Sequence, residues 1–190
     1  MRLILASRSP RRRDLMNEAG YEFEIMASDA EEIHDASMEP WALTEENARL
    51  KASEIATKNP EAAVIGADTL VFLDGDPIGK PRDMAEAEEM LGRLVGKTHQ
   101  VCTGVCFVHP DAKLSRTFHE VTDVTFKALT VEQIRDYLTK INPLDKAGAY
   151  AAQDFGELII EKTEGSWTNV VGLPMEKLGE VLDSVCGAAA

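Results

Sequence analysis

Apolar and polar positions follow two different periods along this chain, and the changes between them mark its predicted strands and helices. Short apolar runs, or apolar residues alternating with polar ones, indicate strands, whereas an apolar stripe at offsets of three and four indicates a helix. Strands are predicted at residues 3–6, 21–25, 62–73, 100–108, 117–126 and 158–161. Apolar stripes and capping residues predict helices at 9–20, 44–58, 84–94 and 130–141, and a final helix along 178–185.

Capping residues give these helices their predicted boundaries. The caps assigned by the sequence are Ser9, Thr44, Asp83 and Thr130, the last in a capping box with Gln133. The Asp74-Gly75 pair predicts a turn, and residues 28–40 and 142–156 are predicted loops. Strands and helices alternate only in part, so the expected fold class is α/β with a mixed sheet. We expect one domain over residues 1–190, because no linker or repeat divides the chain.

Composition and charge exclude several classes of partner. The net charge of −13 disfavours nucleic-acid polymers and anionic membranes. No segment is long and apolar enough for a signal peptide or a membrane span, so the expected compartment is the cytoplasm. The three cysteines and four histidines show no metal-ligand spacing, and the cysteines are interpreted as buried, reduced thiols.

A cluster of three arginines, Arg11 to Arg13, is a local exception on this acidic chain. The cluster lies in the first turn of a predicted helix, where the unpaired N–H groups already carry partial positive charge. Cations are unfavourable at this end of a helix unless an anion binds there. We therefore expect a small anionic ligand near Arg11 and Arg12, with Arg13 rotated away as a solvated residue.

Several charged residues interrupt apolar surroundings and have both a structural and a functional interpretation. Asp68 lies within an apolar strand, so it needs either a structural partner such as an arginine or a functional cation. Lys51 shares a helix face with alanines and Ile55, and either extends to the solvent or enters a cleft. Lys80 and Glu32 lie in predicted loops and are ordinarily solvated there. Together, basic donors, a helix N-terminus and carboxylates suit a polyphosphate ligand with a divalent metal.

Six short motifs resemble those of the Maf family of nucleoside triphosphate pyrophosphatases. They are "LASRSPRR" at 5–12, "GADTLV" at 66–71, "GKPRD" at 79–83, "GKTHQVCTGV" at 96–105, "DKAGAYAAQ" at 145–153 and "NVVGLP" at 169–174. Each motif alone is weak, but six in the family's order across nearly the whole chain are specific.

This resemblance implies a compact mixed-sheet fold, of the kind shared with Ham1 and inosine triphosphate pyrophosphatases, with a nucleotide-binding cleft. It implies hydrolysis of a nucleoside triphosphate to the monophosphate and pyrophosphate with a divalent metal, Mg²⁺ or Mn²⁺. Asp68 stands at the position of the family's catalytic proton acceptor, and Glu32 at the position of its acidic loop. We predict that these two carboxylates hold the metal. The implied phosphate-binding residues are Ser9, Arg11, Arg12, Lys51 and Lys80.

Three positions separate the substrate subgroups of the family. In this chain they are Arg11, Thr69 and Gln153, as in the subgroup that acts on dTTP and UTP. The chain departs from the family pattern at Ala151 and Asp154, where glycine is usual, and Gln153 could instead only brace its loop. The alternatives are a 7-methyl-GTP pyrophosphatase and a nucleotide-binding regulator of cell division. The sequence leaves a homodimer open.

Overall fold

A mixed β-sheet runs through the centre of the computed structural model, which describes residues 1–35 and 37–186. Ala36 and residues 187–190 of the predicted domain lie outside this description. Over the described ranges the sheet has seven strands: β1 (Leu3–Leu5), β2 (Glu24–Ile25), β3 (Ala63–Leu73), β4 (Asp76–Ile78), β5 (Thr98–His109), β6 (Leu114–Phe126) and β7 (Ile160–Glu164). The α-helices there are α1 (Pro10–Glu18), α2 (Pro40–Lys58), α3 (Met84–Leu94), α4 (Val131–Leu138), α5 (Gly156–Ile159), α6 (Trp167–Val171) and α7 (Met175–Cys186), and Ala147–Ala149 form a short 3-10 helix.

Strand β3 joins the parallel and antiparallel parts of the sheet. The strand order is β2-β1-β3-β5-β6-β7, and β4 pairs with the second half of β3. Strand β1 runs parallel to both β2 and β3, whereas β3, β5, β6 and β7 pair antiparallel in sequence. The predicted α/β class with a mixed sheet is therefore confirmed.

The core lies on both faces of the sheet because alternate strand residues point to opposite sides. Leu3 and Leu5 of β1 pack in the cluster formed by α1 and α7, whereas Ile4 packs in the cluster beneath α2. A third cluster, at the other end of the sheet, includes Phe126 of β6 and Tyr137 of α4. None of the helices in the described ranges could cross a membrane.

Two strand glycines allow helix α2 to lie unusually close to the sheet. A Cβ atom at Gly66 would overlap the backbone of Ala48, and one at Gly104 would overlap the backbone of Thr44. Glycine is required at such a close approach because any side chain would push the helix outward. This packing brings the polar side chains of α2 directly over the middle of β3.

Most predicted boundaries are confirmed, and two of the four assigned residues, Asp83 and Thr130, form side-chain caps. Ser9 occupies the N-cap position of α1, and the side chain of Asp83 accepts the N–H of Glu86 at the start of α3. Thr130 and Gln133 make the predicted capping box of α4. Asp74 and Gly75 have positive φ angles in the predicted turn between β3 and β4.

Three predictions of secondary structure are wrong. Helix α2 begins at Pro40, and Thr44 is buried inside it, donating its hydroxyl to the carbonyl of Pro40, because proline suits a first helical turn. Residues 156–159 form a short helix, so the strand predicted at 158–161 starts only at residue 160. The strand predicted at 21–25 is paired only over its last two residues. Helix α6 was not predicted, because five residues are too few to show a helical period.

The prediction of buried, reduced cysteines is confirmed for the two cysteines whose side chains the structure describes. Cys102 and Cys106 are free thiols buried on β5. Burial raises the pKa of both thiols, so they are poor nucleophiles. The side chain of Cys186 lies outside the described part of the structure.

Candidate active site

A cleft of about 760 Å³ lies between the N-terminus of α1, the middle of β3 and the segment 145–153. Its walls contain every residue that the sequence analysis assigned to catalysis, substrate or metal: Ser9, Arg11, Arg12, Glu32, Lys51, Asp68, Thr69, Lys80 and Gln153. These residues come from six separate segments of the chain, which the fold brings together in one place.

Asp68 lies in the middle of β3 and is buried. Its Oδ1 accepts a hydrogen bond from Lys51 Nζ at 2.7 Å, and its Oδ2 accepts one from Asn47 Nδ2 at 3.3 Å. Both donors come from α2, which the sheet glycines allow to approach. The two donors contact its two oxygens, so Asp68 reaches the cleft as a hydrogen-bond acceptor.

Lys51 turns into the cleft and bridges two carboxylates. Its Nζ lies 2.7 Å from Glu32 Oε1 as well as 2.7 Å from Asp68 Oδ1, and its side chain is only 15% exposed. Of the two interpretations of this lysine, extension to the solvent is therefore wrong. Burial raises the pKa of Glu32, but the hydrogen bond and charge of Lys51, with the charge of Lys80, outweigh it and hold that pKa below its ordinary value.

The carboxylates around Lys51 fit a binding site for a divalent metal only in part. Within residues 1–35 and 37–186, no group of three His, Cys, Asp or Glu side chains is close enough to hold a metal ion. Glu32 and Asp68 nevertheless converge on one ammonium, so their oxygens are close to each other. Mg²⁺ is commonly bound by one or two carboxylates together with substrate phosphates and water. The pair fits a metal that arrives with, or is completed by, a phosphate ligand.

The guanidinium of Arg12 is held in place by hydrogen bonds to other groups of the protein. Its Nε donates to the carbonyl of Gly172 at 2.7 Å, and Nη1 donates to the carbonyl of Ala67 at 2.9 Å and to Ser7 Oγ at 3.3 Å. Its Nη2 donates to Thr69 Oγ1 at 2.9 Å. These bonds use four of the five guanidinium N–H groups, so Arg12 has one left for a ligand and mainly braces the floor of the cleft.

Arg11 lines the same cleft with different surroundings. Its guanidinium donates no hydrogen bond to the described residues, although its charge acts on Asp145 across the cleft. The side chain of Ser9 does not cap α1, and the backbone N–H groups of residues 11 and 12, in the first turn, have no intrahelical partner. Arg13 is exposed and pairs with Asp14, as expected for a solvated residue. The helix N-terminus thus offers N–H groups and one available guanidinium to an anion.

Thr69 takes part in a directional chain of hydrogen bonds. Thr103 donates its hydroxyl to the carbonyl of Asn169, and Thr69 Oγ1 lies 2.9 Å from Thr103 Oγ1 and 3.4 Å from the carbonyl of Gly172, so the hydroxyl proton of Thr69 has acceptors within the protein. Thr69 also accepts from Arg12. Because the hydroxyl proton of Thr69 is already used, its oxygen can offer a ligand only an acceptor.

Gln153 and Lys80 lie at the mouth of the cleft. Both side chains are exposed, and neither makes a hydrogen bond to the described residues. The structure therefore gives no support to a loop-bracing role of Gln153. Its loop is held two residues earlier, where Ala151 N donates to Tyr137 Oη at 3.0 Å and the Tyr137 hydroxyl donates to Ala151 O at 3.1 Å.

Sequence reasoning missed two buried polar groups next to the cleft. Ser7 accepts hydrogen bonds from Arg12 and from the backbone N–H of Ser9, and Asn47 contacts Asp68. Asn47 precedes Lys51 by four residues, so the two share one helix face, and this spacing was the signal available. His99 is buried, and its Nε2 lies 3.0 Å from Tyr150 Oη in the protein core.

The family model and the sequence relatives agree on one family for this chain. The family described as Maf-like protein matches residues 2–185. A protein from Akkermansia muciniphila named dTTP/UTP pyrophosphatase is 45% identical over 96% of each chain. One of the same name from Bacillus pumilus is 46% identical over 96% of this chain and 95% of its own. Among solved structures, the Ham1 protein of Staphylococcus aureus aligns with a TM-score of 0.49 at 19% identity, over 83% of this chain and 90% of that one.

Proposed function

The chain belongs to the Maf family, and from this membership we propose that it is a single-domain pyrophosphatase of dTTP and UTP. In the proposed reaction water attacks the α-phosphorus and the products are the nucleoside monophosphate and pyrophosphate. The names of the relatives at 45% and 46% identity support this substrate class. The structural observation that carries the proposal is the buried carboxylate of Asp68, which faces a cleft lined by basic side chains.

The triphosphate binds at the end of the cleft formed by the α1 N-terminus. Arg11 and Lys80 have donors that the described part of the protein does not use, and the N–H groups of the first turn add partial positive charge. Ser9 adds a hydroxyl that caps no helix. These groups neutralise much of the negative charge of a triphosphate, which the acidic surface of the protein would otherwise repel.

Glu32 and Asp68 would hold the divalent cation, Mg²⁺ or Mn²⁺, together with phosphate oxygens. Such an ion supplies positive charge that stabilises the negative charge developing on the phosphates. The two carboxylates already share one cation, Lys51, and their close approach is compatible with a second positive charge.

Asp68 accepts the proton of the attacking water. Its carboxylate is paired with Lys51 and fixed by a rigid strand and by Asn47, so its direction is set before substrate binds. Lys51 reaches both acids and the cleft, so it can also contact a phosphate oxygen once the substrate is present. Arg12 supports this arrangement chiefly by bracing the floor of the cleft at Thr69 and Gly172.

Thymine and uracil are selected by their imide edge. The free amide of Gln153 can accept from the imide N–H and donate to a ring carbonyl, and the oxygen of Thr69 can only accept. Cytosine has no imide proton and carries an amino group in place of one carbonyl. Guanine also presents an N–H beside a carbonyl, so the preference over 7-methyl-GTP rests on the names of the relatives.

Product analysis tests the proposal directly. The purified protein is incubated with Mg²⁺ or Mn²⁺ and, in turn, dTTP, UTP, dCTP and 7-methyl-GTP, and pyrophosphate, orthophosphate and nucleotides are separated. We expect pyrophosphate and the monophosphate in equal amounts, formed fastest from dTTP and UTP. Release of orthophosphate would contradict the reaction, and nucleotide binding without turnover would favour the regulatory alternative.

A further inference from the structure

Asn47 is a buried polar residue of α2 that lies just outside the cleft. Its Oδ1 accepts the backbone N–H of Ile33 at 2.7 Å. Its Nδ2 donates to the carbonyl of Ile33 at 3.1 Å and to Oδ2 of Asp68 at 3.3 Å. One amide therefore contacts both backbone groups of a loop residue and the candidate catalytic acid.

The orientation of this amide is determined by its partners. The N–H of Ile33 can only donate, whereas the carbonyl of Ile33 and the carboxylate of Asp68 can only accept. Rotating the amide by 180° would place its oxygen against two acceptors and its NH₂ group against a donor. Only the observed orientation satisfies all three contacts, so Asn47 is a specific connection rather than a generic buried amide.

The loop that Asn47 holds carries Glu32, the residue before Ile33. Glu54 of the same helix holds the start of this loop through the hydroxyl of Ser28 and the N–H of Asp29. Helix α2 therefore positions the loop at both contacts and also supplies Lys51, which both acids share. The separation between the carboxylates of Glu32 and Asp68 depends on Asn47, because it is bonded to the backbone next to one acid and to the side chain of the other.

We propose that Asn47 is a positioning residue that sets the Glu32 loop relative to Asp68 and so assembles the acidic pair of the cleft. This inference rests on the proposed function. Asn47 contacts neither Arg11 nor Lys80, so its loss affects the reacting geometry more than substrate binding. It acts in the free protein, so its effect on the loop does not depend on metal or nucleotide.

The test compares Asn47→Leu with Thr44→Val, a matched control one turn earlier on the same helix face. Thr44 is buried and contacts Cys102 but none of the cleft acids. For Asn47→Leu we expect kcat to fall about 10–100-fold, the usual effect of losing a group that orients a site residue, with KM little changed. In the metal-free protein, amide hydrogen exchange at Ile33 should become faster. Thr44→Val should change neither quantity.

A double-mutant cycle with Glu32→Gln separates positioning from general destabilisation. If Asn47 acts through the Glu32 loop, the losses of kcat in the two single variants do not add in the double variant, whereas independent effects add. Asn47→Asp is a second variant of nearly equal size: it retains the acceptor for Ile33 N–H, loses both donated bonds and places a second carboxylate against Asp68. We therefore expect kcat to fall while Ile33 stays protected.

Three results would overturn the inference: additive losses in the cycle, unchanged Ile33 exchange in Asn47→Leu, or wild-type kcat in Asn47→Asp. Assaying Asp68→Asn in the same series keeps the two claims distinct. If Asp68→Asn is inactive while the Asn47 variants turn over normally, the proposed function stands and the role of Asn47 is rejected.

Discussion

The ammonium of Lys51 lies 2.7 Å from the carboxylate of Asp68, at the point where helix α2 crosses strand β3. The same ammonium lies 2.7 Å from Glu32, so one cation serves two carboxylates. Burying the carboxylate of Asp68 without a partner would cost several kcal/mol. Lys51 therefore contributes to stability and also helps to hold the pKa of Glu32 below its ordinary value.

Replacing Lys51 by methionine should destabilise the protein and make it respond more strongly to metal. The substitution leaves two neighbouring carboxylates without their shared cation, at an expected cost of about 3 kcal/mol in the free energy of unfolding. A divalent cation can then occupy the vacated position. Thermal unfolding with and without Mn²⁺ should show a larger metal-induced rise in Tm for Lys51→Met than for wild type. Arg49→Met, which removes an exposed ion pair of α2, is the control; equal metal responses in all three proteins would contradict the prediction.

Arg11 and Arg12, although adjacent and alike, should have separable effects. Arg11→Ala removes an available guanidinium, so KM for dTTP should rise with little change in Tm. Arg12→Ala leaves the carbonyls of Ala67 and Gly172 without their donor, and an unsatisfied buried group costs about 1–3 kcal/mol. Its Tm should therefore fall clearly. Steady-state kinetics and thermal unfolding measure the two effects, and equal losses of stability in both variants would be inconsistent with these contacts.

The contrast between these two arginines shows what the sequence can and cannot predict. Most strands, two of the four helix caps and the residues gathered in the cleft follow from local pattern and from the family motifs. The role of Arg12 does not, because its partner Gly172 lies 160 residues further along the chain. Asn47 is similar: in the sequence it is one polar residue of a charged helix, and only its contacts with Ile33 and Asp68 reveal its position.

Gln153→Glu should reduce the preference for thymine and uracil. A carboxylate can accept from the imide N–H but cannot donate to a ring carbonyl, so one contact with the correct base is lost. A polar group that the bound base covers and leaves mispaired costs about 1–3 kcal/mol, which corresponds to roughly a tenfold to hundredfold change in rate. The measurement is kcat/KM for dTTP, UTP and dCTP in both proteins. Unchanged ratios would show that Gln153 does not contact the base.

Acid should destabilise the fold through His99. Burial lowers the pKa of His99 to about 4, from an ordinary value of 6.5. As the pH falls from 6.5 to 4, the unfolded chain therefore binds a proton that the folded protein excludes, and this group's contribution to stability falls by about 3 kcal/mol. Nδ1 of His99 has no partner among the described residues, so the charged ring would add an unsatisfied donor.

Chemical denaturation at several pH values measures this loss. In His99→Phe, which retains packing against Phe126, the decrease in the free energy of unfolding between pH 6.5 and 4 should be smaller than in wild type. The remaining titratable groups contribute equally to both proteins. The difference between the two curves of unfolding free energy against pH therefore isolates His99. Parallel curves would rule out a neutral, buried His99 as the source.

The central claim is that Asp68 accepts the proton of the attacking water, and Asp68→Asn tests it most directly. The amide has nearly the same shape but cannot act as a base, and its loss as general base should lower kcat about 10²–10⁴-fold. The measurement is pyrophosphate release from saturating dTTP, with nucleotide binding and Tm determined on the same protein. We expect that turnover is largely lost while binding and fold are retained. Turnover near the wild-type rate in a folded, nucleotide-binding Asp68→Asn protein would contradict the claim.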